Sequence, residues 1–100
     1  MANMQFVNNA WEEYLSWGND KAMLKKINKL IKEISRDPFN GTGKPEPLKN
    51  DPEKRWSRRI NEEDRLVYKC IMGVTTIYQC KGHYDNKLKM LSKKLSIFLV

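Results

Sequence analysis

The chain has few of the residues that hold metals or form disulfides. Its 100 residues include one histidine and two cysteines, and no CxxC or HxxxH spacing joins them. A structural zinc site takes about four such ligands, so the sequence predicts no metal site and gives no sign of a cofactor. Two cysteines also cannot make the disulfide framework of a small secreted protein. We expect Cys70 and Cys80 to be buried free thiols.

Long apolar runs, a signal peptide and a phosphate-binding loop are also missing. No run reaches the roughly 20 apolar residues of a membrane-spanning helix, and the first residues lack the pattern of a secretory signal. The segment 41–44 (GTGK) is too short for a P-loop, and no helical pattern follows it. These absences favour a cytoplasmic setting and give no reason to expect membrane contact.

Basic residues outnumber acidic ones, 19 to 12, for a net charge of +7. Such an excess favours a polyanionic partner. Residues 86–100 contain four lysines and no acid, which leaves a charge of +3 for residues 1–85. The placement of individual cations is therefore more informative than their total.

Hydrophobic periodicity predicts a short strand and two helices in the first third of the chain. Residues 4–7 alternate like a strand. Asn9 can cap a helix over residues 9–18, and Asp20 can cap a second one that ends near Arg36, because Pro38 disfavours helical geometry at the residue before it. The first helix has an apolar stripe of Trp11, Tyr14, Leu15 and Trp17, and the second has one of Met23, Leu24, Ile27, Leu30, Ile31 and Ile34.

The second part of the chain has the pattern of a loop followed by three strands. All four prolines fall in residues 37–52, which predicts an irregular loop, and a connection of this length is more often functional than idle. Residues 56–60, 65–70 and 74–81 are strand-like. The order of elements predicts an α+β fold, with an N-terminal strand and two helices packed on an antiparallel sheet.

The register of the last hairpin decides which side chains share a face. A three-residue loop over residues 71–73 pairs Cys70 with Val74 and Arg65 with Gln79. Arg65 and His83 then lie on one face if the alternation continues. A two-residue turn at Met72 and Gly73 would place them on opposite faces.

The polar residues of this second part include the groups needed to cleave RNA without a metal. Glu46 can take the proton of a 2′-hydroxyl, and His83 can protonate the leaving oxygen. Arg59 and Arg65, with Lys49 nearby, can bind phosphate. Each residue also has a plainer interpretation. Glu46 can be a solvated loop acid, and the single histidine can be a structural residue. Arg58 and Arg59 can be the charges of an exposed sheet edge. Arg65 can be an ion-pair partner of Glu62 or Glu63. Trp56 and Tyr84 can pack or can stack on a base.

Four segments in order resemble one family: 44–49 (KPEPLK), 56–60 (WSRRI), 65–68 (RLVY) and 83–84 (HY). Together with residues 11–15 and 25–32 in the helices, they resemble the YoeB/Txe toxins of bacterial type II toxin–antitoxin systems, in the RelE-like superfamily. The resemblance covers most of the chain, from about Met4 to Tyr84. It implies a RelE-like, microbial-ribonuclease-like fold over residues 1–85.

Membership of this family implies an endoribonuclease, or mRNA interferase, that enters the ribosomal A site and cuts the messenger there. The products would be a 2′,3′-cyclic phosphate and a 5′-hydroxyl. The resemblance implies that Glu46, Arg65, His83 and Tyr84 form the catalytic group, and that Lys44, Lys49, Arg58 and Arg59 bind RNA. It further implies a cognate antitoxin of the YefM/Phd/Axe type and a toxin that can form homodimers.

Two features depart from this family and leave alternatives open. Asp64 stands where relatives commonly have histidine, and residues 86–100 form a basic amphipathic extension beyond the usual end, with Leu88, Leu91, Leu95 and Phe98 set against four lysines. Both favour a second hypothesis, a catalytically impaired module that binds RNA, the ribosome or an antitoxin. A third hypothesis is a DNA-binding autoregulator, although no recognition helix stands out.

Overall fold

The computed structural model describes residues 3–82. His83, Tyr84 and the predicted extension over residues 86–100 lie outside these residues. The elements are β1 (Asn3–Phe6), α1 (Ala10–Ser16), one 3-10 turn (Trp17–Asn19), α2 (Lys21–Arg36), β2 (Glu46–Pro47), β3 (Trp56–Arg59), β4 (Arg65–Ile71) and β5 (Val74–Gln79). None of the helices in this part of the chain is long and apolar enough to cross a membrane.

The five strands form one sheet in the order β1-β5-β4-β3-β2. Strands β3 to β5 form the predicted antiparallel meander, and β2 also pairs antiparallel with β3, but β1 runs parallel to β5 at the edge of the sheet. The sheet is therefore mixed, because the chain crosses over through α1 and α2 before it returns to form the meander. The predicted α+β class is confirmed.

The core lies between the two helices and one face of the sheet. From α2 it takes the predicted apolar stripe, of which Ile27, Leu30, Ile31 and Ile34 are buried. The sheet and the chain next to it contribute Leu66, Tyr68, Ile77, Ile60 and Cys80. Each fully buried aliphatic side chain of this kind contributes about 1.5–3 kcal/mol to burial, so the α2–sheet contact is the main source of stability.

The apolar stripe predicted for α1 is only partly correct. Trp17 is buried and its Nε1 donates to the Cys80 carbonyl at 2.8 Å. Trp11 and Leu15, in contrast, are 48% and 56% exposed. Trp11 stacks on Tyr14 at the surface, because α1 is only seven residues long and rests on the edge of the sheet. Cys70 and Cys80 are both free, as predicted, although only Cys80 is fully buried.

The proline-rich loop contains a short strand that the sequence did not predict. Glu46 and Pro47 form β2 and pair with Ser57 and Trp56 of β3. Proline is tolerated there because β2 is an edge strand and Pro47 needs no N–H partner on its outer side. As a consequence β3 is not an edge strand, and the interpretation of Arg58 and Arg59 as edge charges is wrong.

The last hairpin has a two-residue turn, so the predicted three-residue loop is wrong. Ile71 pairs with Val74, and Met72 and Gly73 have φ values of 50° and 80°, which favours the right-handed twist of a hairpin. A bulge next to Val67 then shifts the register by one residue and places Val67 opposite Gln79. Arg65 and Gln79 therefore still lie on one face. The face of His83 stays a prediction.

The two helix starts predict different responses to the loss of a capping side chain. The Asp20 carboxylate accepts a hydrogen bond from the Met23 N–H at 3.1 Å, whereas the Asn9 side chain makes no capping bond. We expect Asp20→Ala to lower the free energy of unfolding by about 1 kcal/mol, and Asn9→Ala to change it by less than half as much. Urea unfolding of both variants checks this, and equal losses would contradict the assignment.

Candidate active site

The face of the sheet opposite the helices brings the candidate residues together. Glu46 lies across from Ser57, Ser57 across from Val67, and Val67 across from Gln79. Residues that lie directly opposite in an antiparallel ladder project from the same face. These four residues therefore form one row across β2, β3, β4 and β5. We call this surface the open face.

Two arginines lie on the open face next to this row. Arg59 is two residues beyond Ser57 on β3, and it pairs with Arg65 of β4. From standard strand spacings, the Cα atom of Glu46 lies roughly 8 Å from that of Arg59 and roughly 12 Å from that of Arg65. A carboxylate and two guanidinium groups can thus face one phosphodiester, which agrees with the predicted grouping of Glu46, Arg59 and Arg65.

Among residues 3–82, backbone carbonyls and not acidic side chains hold Arg65. Its Nη1 donates to the carbonyl oxygens of Asn61 at 2.8 Å, Glu62 at 3.2 Å and Asp64 at 3.2 Å. The interpretation of Arg65 as an ion-pair partner of Glu62 or Glu63 is therefore wrong. Within residues 3–82, no hydrogen bond engages Nη2 or Nε of Arg65, and that edge of the guanidinium has the geometry to fork two phosphate oxygens.

Two backbone hydrogen bonds position Glu46 against β3. The Arg59 N–H donates to the Gly43 carbonyl at 2.6 Å, and the Leu48 N–H donates to the Arg55 carbonyl at 2.9 Å. They flank β2 on both sides, so the exposed Glu46 side chain projects from a fixed backbone. Lys44 and Lys49 are exposed on either side of β2, where cations can extend the positive surface around Glu46.

Arg58 is buried, which contradicts the prediction that it binds RNA. Its side chain points to the helix side of the sheet and is 0% exposed. The guanidinium donates to the Tyr68 hydroxyl, a Glu33 carboxylate oxygen and the carbonyls of Asp37, Asn40 and Thr42, at distances of 2.7 to 3.3 Å. Every guanidinium nitrogen thus has a partner inside the protein, and Arg58 is a structural residue.

The acceptors around Arg58 form a network that fixes the start of the proline-rich loop. Glu33 on α2 accepts from the Thr42 N–H at 2.8 Å and from the Thr42 hydroxyl at 2.9 Å. These bonds, followed by the nearby Arg58 charge, lower the pKa of Glu33. Gly41 permits this packing, since a Cβ atom there would lie 2.7 Å from a Glu33 carboxylate oxygen.

Several residues of the open face escaped sequence reasoning. Asp51 forms a bidentate ion pair with Arg55, with distances of 2.8 and 2.9 Å, and the Arg55 guanidinium lies 5.0 Å from the centre of the Tyr78 ring. Hydrogen bonds from Arg55 lower the pKa of Asp51. An i, i+4 spacing such as that of Asp51 and Arg55 predicts contact between side chains only in a helix, and these residues are not helical. No sequence signal could therefore have predicted this pair. Ser57 and Gln79, both buried, had no signal either.

His83 and Tyr84 lie outside the described residues, but the described chain that leads to them ends next to Arg65. Gly82, which directly precedes His83, accepts a hydrogen bond at its carbonyl oxygen from the Arg65 N–H at 3.0 Å. The described chain therefore ends beside Arg65, on the side of the site away from Glu46. Within residues 3–82, no three His, Cys, Asp or Glu side chains are close enough together to hold a metal ion.

The two neighbouring arginines of β3 predict a sharp contrast in stability. We expect Arg58→Met to lower the free energy of unfolding by about 3 kcal/mol or more, because it removes the donor to three loop carbonyls and the positive charge next to Glu33. Arg59→Met, at an exposed position on the same strand, should change it by no more than about 0.5 kcal/mol. Chemical unfolding at neutral pH measures both. Similar losses for the two variants would contradict the structural role of Arg58.

Comparisons with known proteins show to which family the chain is similar. Residues 6–84 match the model of a family described as the YoeB-like toxin of bacterial type II toxin–antitoxin systems. Toxin YoeB of Synechocystis is 52% identical over 81 residues, which are 80% of this chain and 94% of the relative.

Solved structures give the same result. The YoeB dimer of Staphylococcus aureus superposes with a TM-score of 0.77 at 46% identity, over 83% of this chain and 98% of that one. YoeB in a heterotetrameric YoeB–YefM complex from the same organism superposes with a TM-score of 0.76 at 45% identity, over 84% and 99%. The chain therefore belongs to the YoeB-like toxin family of bacterial type II toxin–antitoxin systems.

Proposed function

We propose that this chain is a ribosome-dependent endoribonuclease that cleaves messenger RNA in the ribosomal A site and so inhibits translation. The observation that supports the proposal is the strand register, in which Glu46, Arg59 and Arg65 lie on the open face within roughly 12 Å of one another at their Cα atoms. Membership of a toxin family supports it. The target is a polyanion, in keeping with the net charge of +7.

The proposed reaction is an in-line attack by the ribose on its own phosphodiester. Glu46 removes the proton of the 2′-hydroxyl, and the oxygen bonds to phosphorus. The bond from phosphorus to the 5′-oxygen breaks, and His83 protonates that oxygen as it leaves. The products are a 2′,3′-cyclic phosphate and a 5′-hydroxyl, with no metal needed. The Nε and Nη2 groups of Arg65 stabilise the charge that develops on the phosphate.

The remaining candidates bind and orient the RNA. Arg59, Lys44 and Lys49 surround Glu46 with positive charge, which attracts the phosphate backbone without reading its sequence. Tyr84 follows the proposed general acid and supplies a ring for stacking on a base. Arg58 is no longer among the RNA-binding residues, because its guanidinium has only internal partners.

The proposed partners are the ribosome with its messenger, a cognate antitoxin of the YefM type and a second copy of the chain. The solved relatives include a YoeB dimer and a YoeB–YefM complex, and these assemblies support the last two partners. Exposed apolar side chains, among them Phe39, Ile71 and Met72, offer a surface for such contacts. All of these partners imply a protein that acts in the cytoplasm.

Conservative substitutions of the proposed acid and base test the reaction directly. We expect Glu46→Gln and His83→Gln to lower messenger cleavage by about 10²- to 10⁴-fold while antitoxin binding is kept. Glu62→Gln, at an exposed acid of the β3–β4 turn, is the matched control and should cleave normally. The measurement is an in vitro translation reaction with mapping of the messenger ends. Undiminished A-site cuts in both variants would remove the proposed roles.

The catalytically impaired module is the second candidate, and the residues beyond the family match favour it. The match ends at residue 84, and the segment that follows is rich in lysine and leucine. We expect the full chain to arrest growth when it is expressed without antitoxin. A variant truncated after Asp85 should also arrest growth, and its rate of messenger cleavage should lie within about tenfold of that of the full chain. Growth arrest by the truncated chain alone would show instead that residues 86–100 block the site.

A further inference from the structure

Gly82 is held on both sides of its backbone by residues of the candidate site. Its N–H donates to an Asp64 carboxylate oxygen at 2.7 Å. Its carbonyl accepts from the Arg65 N–H at 3.0 Å and from Nε2 of Gln79 at 2.9 Å. Both polar groups of this one peptide residue are therefore fixed. We refer to Asp64, Arg65, Gln79 and Gly82 as the Gly82 clamp.

The Asp64 carboxylate is itself held in place by the β3–β4 turn. Its second oxygen accepts from the Asn61 side-chain amide at 2.9 Å, and the Asp64 N–H donates to the Asn61 side-chain oxygen at 2.7 Å. The Asp64 carbonyl accepts from the Ile60 N–H at 3.0 Å. The carboxylate is thus aimed at Gly82 before any RNA arrives, which is the condition for a positioning group to act without further ordering cost.

Gly82 and Gln79 both carry features that an ordinary strand end does not require. Gly82 has a φ of 89°, a conformation that costs little only for glycine. Gln79 is 2% exposed, and within residues 3–82 its Oε1 has no hydrogen-bond partner. Exchanging the two amide atoms would give up the bond to Gly82. Among the described residues the bond to Gly82 is thus kept while the amide oxygen is left without a donor, a compromise expected at functional sites.

We propose that Asp64, supported by Gln79, is a positioning residue that fixes Gly82 against the backbone of Arg65 and thereby sets where His83 enters the site. The inference rests on the proposed function, in which His83 is the general acid. It also gives Asp64 a role opposite to the one expected from the sequence. Within residues 3–82 Asp64 forms no ion pair with an arginine, so its charge is directed to a peptide N–H and does not neutralise Arg59 or Arg65.

Substitutions at position 64 separate positioning from other effects. We expect Asp64→Ala to lower the single-turnover cleavage rate on programmed ribosomes by about 10- to 100-fold, since a misplacement near 1 Å can cost about 10²-fold. Apparent ribosome affinity should change by less than about threefold, because no RNA-binding residue is altered. Asp64→Asn keeps an oxygen that can accept from Gly82 and should recover most of the rate. Glu63→Ala, at the exposed neighbouring acid, is the matched control.

The clamp also predicts signals that do not depend on catalysis. By nuclear magnetic resonance, the Gly82 amide should exchange slowly with solvent in the wild type and in Asp64→Asn, and at least about tenfold faster in Asp64→Ala. His83 is the single histidine, so its imidazole resonances can be assigned directly. They should shift in Asp64→Ala and stay in place in Glu63→Ala. Gln79→Met removes the side-chain bond to the Gly82 carbonyl at similar volume. It should also lower the cleavage rate and speed the exchange of the Gly82 amide, and it replaces Asp64→Ala as the test variant if Asp64→Ala fails to fold.

The outcomes distinguish this inference from the proposed function. A wild type that does not cleave on the ribosome would remove the proposed function and the positioning role with it. A wild type that cleaves, together with Asp64→Ala and Gln79→Met that cleave at its rate or keep a protected Gly82 amide, would overturn the inference alone. A lower rate that Asp64→Asn fails to recover, despite a protected Gly82 amide, would also count against it, since the effect would then lie outside the clamp.

Discussion

A buried guanidinium group joins the three parts of the molecule that have to be aligned before a site can exist. Arg58 leaves β3 on the helix side and bonds to Glu33 of α2, to Tyr68 of β4 and to three carbonyls of the loop that follows α2. A buried charge is tolerated only when its donors are fully paired. The loop carbonyls therefore have to stay bonded to Arg58, which restricts the motion of the loop. The same loop leads to Gly43, whose carbonyl binds the Arg59 N–H. The position of Glu46 thus depends on a residue on the opposite side of the sheet.

Arg58 and Arg59 show how strand alternation divides one sequence motif between two tasks. The side chains have the same chemistry and adjacent positions, but one is enclosed by the protein and the other is exposed on the open face. Only the pairing of β3 with β4 decides which is which. Periodicity cannot choose between two arginines in a row, because either could face the solvent.

Much of the scaffold, and the grouping of the site, was nevertheless accessible from the sequence. The stripe of α2, the Asp20 cap and the three-stranded meander of β3 to β5 follow from short-range patterns, and they are as predicted. The errors have long-range causes. Strand β2 exists because β3 offers it an edge, although its prolines argue for a loop. The hairpin register depends on a bulge between Val67 and Tyr68 that has no local signature. The hydrogen bond from the Gly82 N–H to Asp64 spans 18 residues, and no local pattern in the sequence predicts it.

Arg65 keeps its charge available on the open face because uncharged groups hold its guanidinium in place. Arg65 is fixed by three backbone carbonyls, and among residues 3–82 neither Arg59 nor Arg65 is paired with a carboxylate. A carboxylate partner would position a guanidinium equally well, but RNA would then have to displace it and leave a charge without its counterion. Carbonyl dipoles avoid that competition and leave the full positive charge for a phosphate. The acids that are close by, Asp51 and Asp64, have other partners in Arg55 and Gly82. Asp51 and Asp64 thus have separate structural tasks and form no ion pair with Arg59 or Arg65 among residues 3–82.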